Sequence, residues 1–182
     1  MDTQTPKHLE PMRLFFALGL DAVSKNKIDN WLRSHVELSK PATQQRNWHL
    51  TLAFLGQVTQ PLCETLIARA HTIASQPFEL ALDEHEFWPH NGIFHLKPSS
   101  PPQTLVRLAT DLLGMASEHH IKSEHSRFRP HVTLARNLKA SPLVTKQVPA
   151  IQLHCHEFTL YHSTRDEQGL VYKPLSTFAL QS

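Results

Sequence analysis

One short segment occurs twice in this chain. His49-Leu50-Thr51-Leu52-Ala53 and His131-Val132-Thr133-Leu134-Ala135 agree at four of five positions. Given one copy, chance supplies the second in roughly one chain in a hundred of this composition. The alternation of polar and branched apolar residues has the period of a strand, so each copy predicts a strand with His, Thr and Ala on one face and Leu or Val on the other. Leu50, Leu52 and Phe54 then anchor the first strand in the core, and Val132 and Leu134 the second. A polar pair beside a small alanine reads as the wall of a cleft. A third His-x-Thr, at His162 and Thr164, does not extend into the longer repeat and is read as coincidence.

Around these strands the pattern mixes helix and sheet. Leu14 to Leu18 is a short apolar run, expected as a strand buried on both faces. Asp21 offers an N-cap to a helix carrying Val23, Ile28, Trp31, Leu32 and Val36, which Pro41 ends. Gly56 closes the first motif strand before a helix from Pro61 to about Ser75 with Leu62, Leu66, Ile67 and Ala70 on one face. Phe78 to Leu82 alternates as a strand, and Phe87-Trp88 and Ile93 to Leu96 flank Asn91-Gly92, a hairpin signal. The proline-rich stretch Lys97 to Pro102 is expected as a lobe boundary before a helix through Leu105, Leu108, Leu112 and Met115. Strands follow at His131 to Arg136, Ile151 to Tyr161, Leu170 to Lys173 and Thr177 to Leu180. Locally pairing strands interspersed with helices favour an α+β fold over a doubly wound parallel sheet. Five glycines in 182 residues form neither a dinucleotide fingerprint nor a triphosphate loop.

The length suits one globular domain, taken as residues 13–182, behind a polar tail at 1–12 that contains Pro6 and Pro11. A net charge of +2 is too even a balance to argue by itself for a polyanion partner, so any nucleic-acid role must rest on a local site. Cys63 and Cys155, without a Cys-x-x-Cys pattern, fit a reducing cytosol, and no run approaches the ~18 apolar residues of a membrane span. The 14 histidines raise the question of a metal. On a strand, however, Cys155 points away from His154 and His156, so these with His162 do not converge on one ion; His119, His120 and His125 fall in a polar, solvated segment. No metal and no cofactor are expected.

Two facing motif strands would hold two imidazoles on either side of a shared ligand. That arrangement suits phosphodiester cleavage, one neutral histidine removing a proton from the attacking oxygen and one protonated histidine donating to the leaving oxygen. Thr51 and Thr133, each on the same face as its histidine, can donate hydrogen bonds to the non-bridging phosphate oxygens. Arg136 and Arg129 are candidates for a phosphate clamp. Arg136 has the opposite parity to His131 on a regular strand, whereas Arg129 has the right parity but is separated by Pro130. A non-catalytic RNA-end-binding protein would use the same cleft, with Trp48, Phe54, Trp88 and Phe128 as stacking platforms.

With these motifs in view, the sequence resembles the two-histidine (2H) phosphoesterase superfamily, and within it the bacterial and archaeal RNA 2′,3′-cyclic phosphodiesterases formerly called 2′-5′ RNA ligases. The resemblance begins at Arg13-Leu14-Phe15-Phe16-Ala17-Leu18 and runs through Asn47 to Gly56 and Phe128 to Arg136, closing at Glu157-Phe158-Thr159-Leu160-Tyr161. It implies two pseudo-symmetric lobes around a central groove and hydrolysis of a terminal cyclic phosphate to a 2′-phosphomonoester. His49 would be the proton donor to the 3′ oxygen and His131 the proton acceptor from water. The implied partner is RNA with a 2′,3′-cyclic phosphate end, tRNA fragments among the candidates, acted on by a cytoplasmic monomer. The same pair run in reverse would join RNA ends through a 2′-5′ bond. The family often has Arg-Pro-Phe ahead of its second motif, where this chain reads Ser126-Arg127-Phe128.

Overall fold

The structure, a computed structural model, describes residues 10–123 and 127–181. Strand β1 (Met12–Gly19) opens it, buried at all five positions from Leu14 to Leu18. Met12, the last residue of the stretch read as a tail, belongs to this strand. Helix α1 (Ala22–His35) follows, capped by Asp21, whose carboxylate accepts from the Ser24 N–H at 2.7 Å. Val23, expected on its inner face, is 64% exposed, because only Ser24, Ile28, Trp31 and Leu32 fall on the stripe that meets the core. The chain continues through β2 (Val36–Glu37), a 3-10 turn at Gln45–Asn47, β3 (His49–Val58) and α2 (Gln60–Ala70). The second helix stops short of Ser75 because Thr72 takes the Arg69 carbonyl with both its backbone N–H and its hydroxyl. Next come β4 (Phe78–Leu82), β5 (Glu84–Trp88), β6 (Ile93–Lys97) and α3 (Gln103–Glu118). Strands β7 (Val132–Ala135), β8 (Leu143–Val144), β9 (Ile151–Cys155), β10 (Glu157–Asp166) and β11 (Gly169–Ala179) complete it.

The fold is α+β, with one seven-stranded sheet in the order β11-β10-β1-β3-β7-β6-β5 and two small pairs, β2-β8 and β4-β9. The two halves of the large sheet interleave in sequence: β10 and β11 from the C-terminal end join β1, while β5 and β6, before Lys97, join β7, after it. Lys97 to Pro102 thus leads from β6 into α3 between two strands of the same half, and is not the boundary between halves. The halves meet at β3 and β7 through Leu50 opposite Val132. Helices α2 and α3 pack together, α3 against β3 and α1 against β9, closing one continuous apolar core. The segments expected near Leu170 and near Thr177 are a single strand, β11. Pro174 is accommodated because β11 is the sheet edge and its register against β10 shifts between Leu160 and Tyr161.

The hairpin predicted at Asn91-Gly92 forms, but with a longer turn. Trp88 pairs with Ile93, leaving four residues in the loop, and of these only Gly92 has positive φ, at 68°. A two-residue type I′ turn would need two such residues. Gly92 also lies against the chain after β7, donating to Trp88 O and accepting from Leu138 N. A Cβ at this position would meet Leu138 O at 2.5 Å and Leu138 N at 2.8 Å. Both are backbone atoms that cannot rotate away. Gly92→Ala is expected to destabilise the protein by about 2 kcal/mol or more, measured by chemical denaturation.

Candidate active site

Both motif histidines stand where a strand begins, and each is held the same way. His49 Nδ1 lies 2.7 Å from Asn47 O, and His131 Nδ1 lies 2.7 Å from Arg129 O, two residues back in each case. A carbonyl accepts only, so Nδ1 carries the proton in both rings and each Nε2 is the atom that can exchange one. His49 Nε2 lies 2.8 Å from Thr51 Oγ1. The antiparallel register that sets Leu50 opposite Val132 sets His49 opposite Thr133 and Thr51 opposite His131. The four polar side chains thus alternate across one face of the sheet, and Thr51 and His131 both line a groove of about 540 Å³.

The expected parity holds only through the threonines. In β3 the pairing with β1 skips a residue between Thr51 and Ala53, and in β7 the pairing with β6 skips one between Thr133 and Ala135. A bulge therefore occupies the same place, Leu52 or Leu134, in each copy. It turns Ala53 and Ala135 into the core and Phe54 out of it. Phe54, expected as a core anchor, is 44% exposed and lines the groove with Trp88 and Phe128. Trp48, the other candidate platform, is buried.

The arginines divide. Strand β7 ends at Ala135 and Asn137 is left-handed, with φ of 58°, so strand parity does not govern Arg136. Its charge acts on His49. Arg129 supplies its carbonyl to His131, and its exposed side chain lines the groove. Burial is the main cause that lowers the His49 imidazole to about 4, with the charges of Arg136, His131 and Lys25 acting in the same direction and the Asn47 carbonyl opposing them. In the free protein His49 is therefore neutral at neutral pH.

Behind His49 lies a second cavity of about 80 Å³, lined by Lys25, Arg46, Tyr161 and Tyr172 among others. Arg46 makes a two-pronged ion pair with Asp166 at 2.8 and 3.0 Å and holds that carboxyl down to about 2. Arg46 and the Asn47 amide both donate to Leu170 O, at 2.9 and 2.8 Å. The turn that presents the Asn47 carbonyl is therefore fixed from β10 and β11. Phe15 and Tyr172 bracket the His49 ring, each 4.9 Å away by centroid. None of Arg46, Asn47, Phe15 or Tyr172 stands out in the sequence as part of a site, because each reaches it through contacts far apart along the chain.

Among the described residues no group of three or more His, Cys, Asp or Glu could hold a metal. His154 pairs with Glu79 at 3.1 Å on the surface, and Cys155 is buried, its thiol pushed up to about 12. His125 lies outside the described residues. His162 sits on β10 opposite Leu14, away from the two motifs. No helix among the described residues is long and apolar enough to cross a membrane.

Two like strands, each carrying an imidazole and a hydroxyl on one face at the joint of a two-part antiparallel sheet, define a protein with a paired-histidine site. The chain belongs to the 2′-5′ RNA ligase superfamily, whose family model matches residues 23–167. It is 35% identical over 175 residues to the RNA 2′,3′-cyclic phosphodiesterase of Escherichia coli, covering 94% of this chain and 98% of that one. Its likeness to the Thermus thermophilus RNA 2′,3′-cyclic phosphodiesterase is 26% over 189 residues, 93% of this chain and 91% of the relative. Among solved structures it matches E. coli LigT complexed with NADP+ at TM-score 0.87 and 32% identity, over 95% of this chain and all of the other. A crystal structure of a phosphoesterase matches at TM-score 0.90, also at 32% identity, over 95% of this chain and all of that one.

Proposed function

We propose that this protein hydrolyses the 2′,3′-cyclic phosphate ends of RNA to 2′-phosphomonoesters, with His49 as proton donor and His131 as proton acceptor. The observation that carries the reading is the matched pair of Nδ1 tethers, each to the carbonyl two residues back, in two motifs that the register sets side by side on one face of the sheet. The E. coli and T. thermophilus relatives, named for this activity, support it. Water gives a proton to His131 Nε2 as its oxygen bonds to phosphorus, while the P–O3′ bond breaks and O3′ takes the proton from His49 Nε2. Thr51 and Thr133 donate to the non-bridging oxygens, and Thr51 leaves His49 Nε2 to do so. Arg136 adds positive charge where the transition state gathers negative charge. Arg129 and Phe54, further along the groove, meet the nucleotide chain.

His49, neutral in the free protein, must be protonated to act as the donor, and the bound phosphodiester anion favours that form. The pH profile therefore has a definite sign. The alkaline limb of kcat, set by the complex, is expected at higher pH than the alkaline limb of kcat/KM, set by the free protein; coincident limbs would count against His49 as donor. Arg136→Ala is expected to lower kcat/KM by about 10–100-fold, with Arg136→Lys between it and wild type.

The test of the reaction is incubation with a short RNA ending in a 2′,3′-cyclic phosphate, EDTA present, and identification of the terminal phosphate formed. A 2′-phosphate is expected. A 3′-phosphate would mean that the other ring oxygen leaves, and RNA bound without turnover would favour an end-binding protein. The proposal extends to a monomeric cytoplasmic enzyme working as one unit over residues 13–182, on ends such as those of tRNA fragments. The unpaired Cys63 and Cys155 suit a reducing compartment. Light scattering on the active fraction reads the oligomeric state.

A further inference from the structure

The two halves of the site match well enough that their differences carry information. β1 lies on β3 as β6 lies on β7: Ala17 is opposite Thr51 and Phe16 opposite Ala53, while His95 is opposite Thr133 and Phe94 opposite Ala135. The place beside the motif threonine is thus a buried alanine in one half and a wholly buried histidine in the other. An imidazole without water needs a partner. His95 Nε2 lies 3.2 Å from Glu86 Oε2, which is 3.3 Å from Lys97 Nζ, and Glu84 lies 3.8 Å from the same ammonium. The His95 ring is 4.0 Å by centroid from Trp88 and 5.3 Å from His131, and Trp88 is 4.7 Å from His131. Three rings close a triangle behind the second motif. Among the described residues His49 packs on Phe15 and Tyr172 instead.

We propose that His95 is a positioning residue for His131: anchored by Glu86 and wedged against Trp88, it fixes the plane of the His131 ring and shields its inner face from water. Two histidines with the same motif and the same tether are thereby made unequal. The catalytic consequence rests on the acid–base reading above; the contact itself does not. Burial, with the charge of His131, lowers His95 to about 4, while Glu86 and the Ile93 carbonyl pull the other way. At neutral pH it is therefore an uncharged ring that donates to Glu86. His131 can then take up a proton without a positive charge from His95, which a lysine or arginine at this position would add.

The experiment follows the His131 ring C–H resonances through a pH titration, alongside kcat and KM, in wild type, His95→Ala, His95→Phe and Glu86→Ala. In His95→Ala, water reaches His131. Its pKa is expected to rise by about half a unit or more, and kcat to fall about tenfold or more with KM within about twofold. His95→Phe keeps a ring in the wedge and is expected to recover most of kcat. A merely structural role would lower the folded fraction without moving the titration. Should His95→Ala fail to fold, Glu86→Ala, at a half-exposed side chain, reads the same link: loss of its carboxylate should lower the His131 pKa. An unmoved His131 titration in folded His95→Ala, or in Glu86→Ala where His95→Ala does not fold, overturns the proposal. A wild type that leaves cyclic-phosphate RNA intact would instead overturn the reaction, and the titration would still decide on His95.

Discussion

His49→Ala and His131→Ala are each expected to lower turnover of a cyclic-phosphate RNA end by about 10²–10⁴-fold, the range that a positioned acid or base contributes. The two losses should separate on a second substrate. An aryl phosphodiester such as bis(p-nitrophenyl) phosphate expels a phenolate that leaves without a proton. The acid is then dispensable, while the base is still needed to activate water. His49→Ala should recover most of its activity relative to wild type on that substrate, and His131→Ala should stay impaired. The reverse pattern would exchange the two roles. That outcome has a physical case, since the low pKa of His49 in the free protein would suit a base. Equal recovery in both variants would mean that neither group transfers a proton in the slow step. The double variant should lose little beyond the worse single one, because the two rings act on one transition state.

The duplicated pentapeptide made the centre of this site readable, because strand period and the chemistry of His and Thr need only local sequence. What lay outside local reach was less legible. Strict alternation put Phe54 in the core, but a bulge at Leu52 turns it out, and bulges depend on the partner strand. The same alternation weighed against Arg136, until the end of β7 at Ala135 freed it from strand parity. A lobe boundary at Lys97 to Pro102 followed from chain order, whereas the sheet interleaves its halves through β10, β11, β5 and β6. The third histidine of the site, His95, sits in an ordinary-looking strand. Only its pairing opposite Thr133 brings it to His131, and no spacing along the chain announces that. The hairpin, the Asp21 cap and the buried first strand were legible because each is specified within a few residues.

The same buried imidazoles should make the fold sensitive to mild acid. His49 and His95 are each lowered to about 4, first of all by burial, against an unfolded value near 6.5. Above pH ~6.5 both rings are neutral in either state and add no pH dependence. Below it the unfolded chain takes up protons that the folded chain refuses until about pH 4, so acid favours unfolding across that window. A gap of this size corresponds to at most about 3 kcal/mol for a wholly enclosed ring such as His95. His49 contributes less, because it is only half-buried. Against a total stability of about 5–15 kcal/mol this is a large fraction. Denaturant midpoints should therefore fall steeply from pH 6.5 to 4, before Asp83 and Asp166, whose carboxyls are held low by Ser99 and Arg46, begin to protonate. His49→Asn, which cannot titrate, should flatten part of that slope, and His95→Phe more of it. Stability unchanged between pH 7 and 4.5 would mean that the rings admit protons in the folded state. The neutral His49 of the free protein, and with it the expected split between the kcat and kcat/KM profiles, would then be lost together.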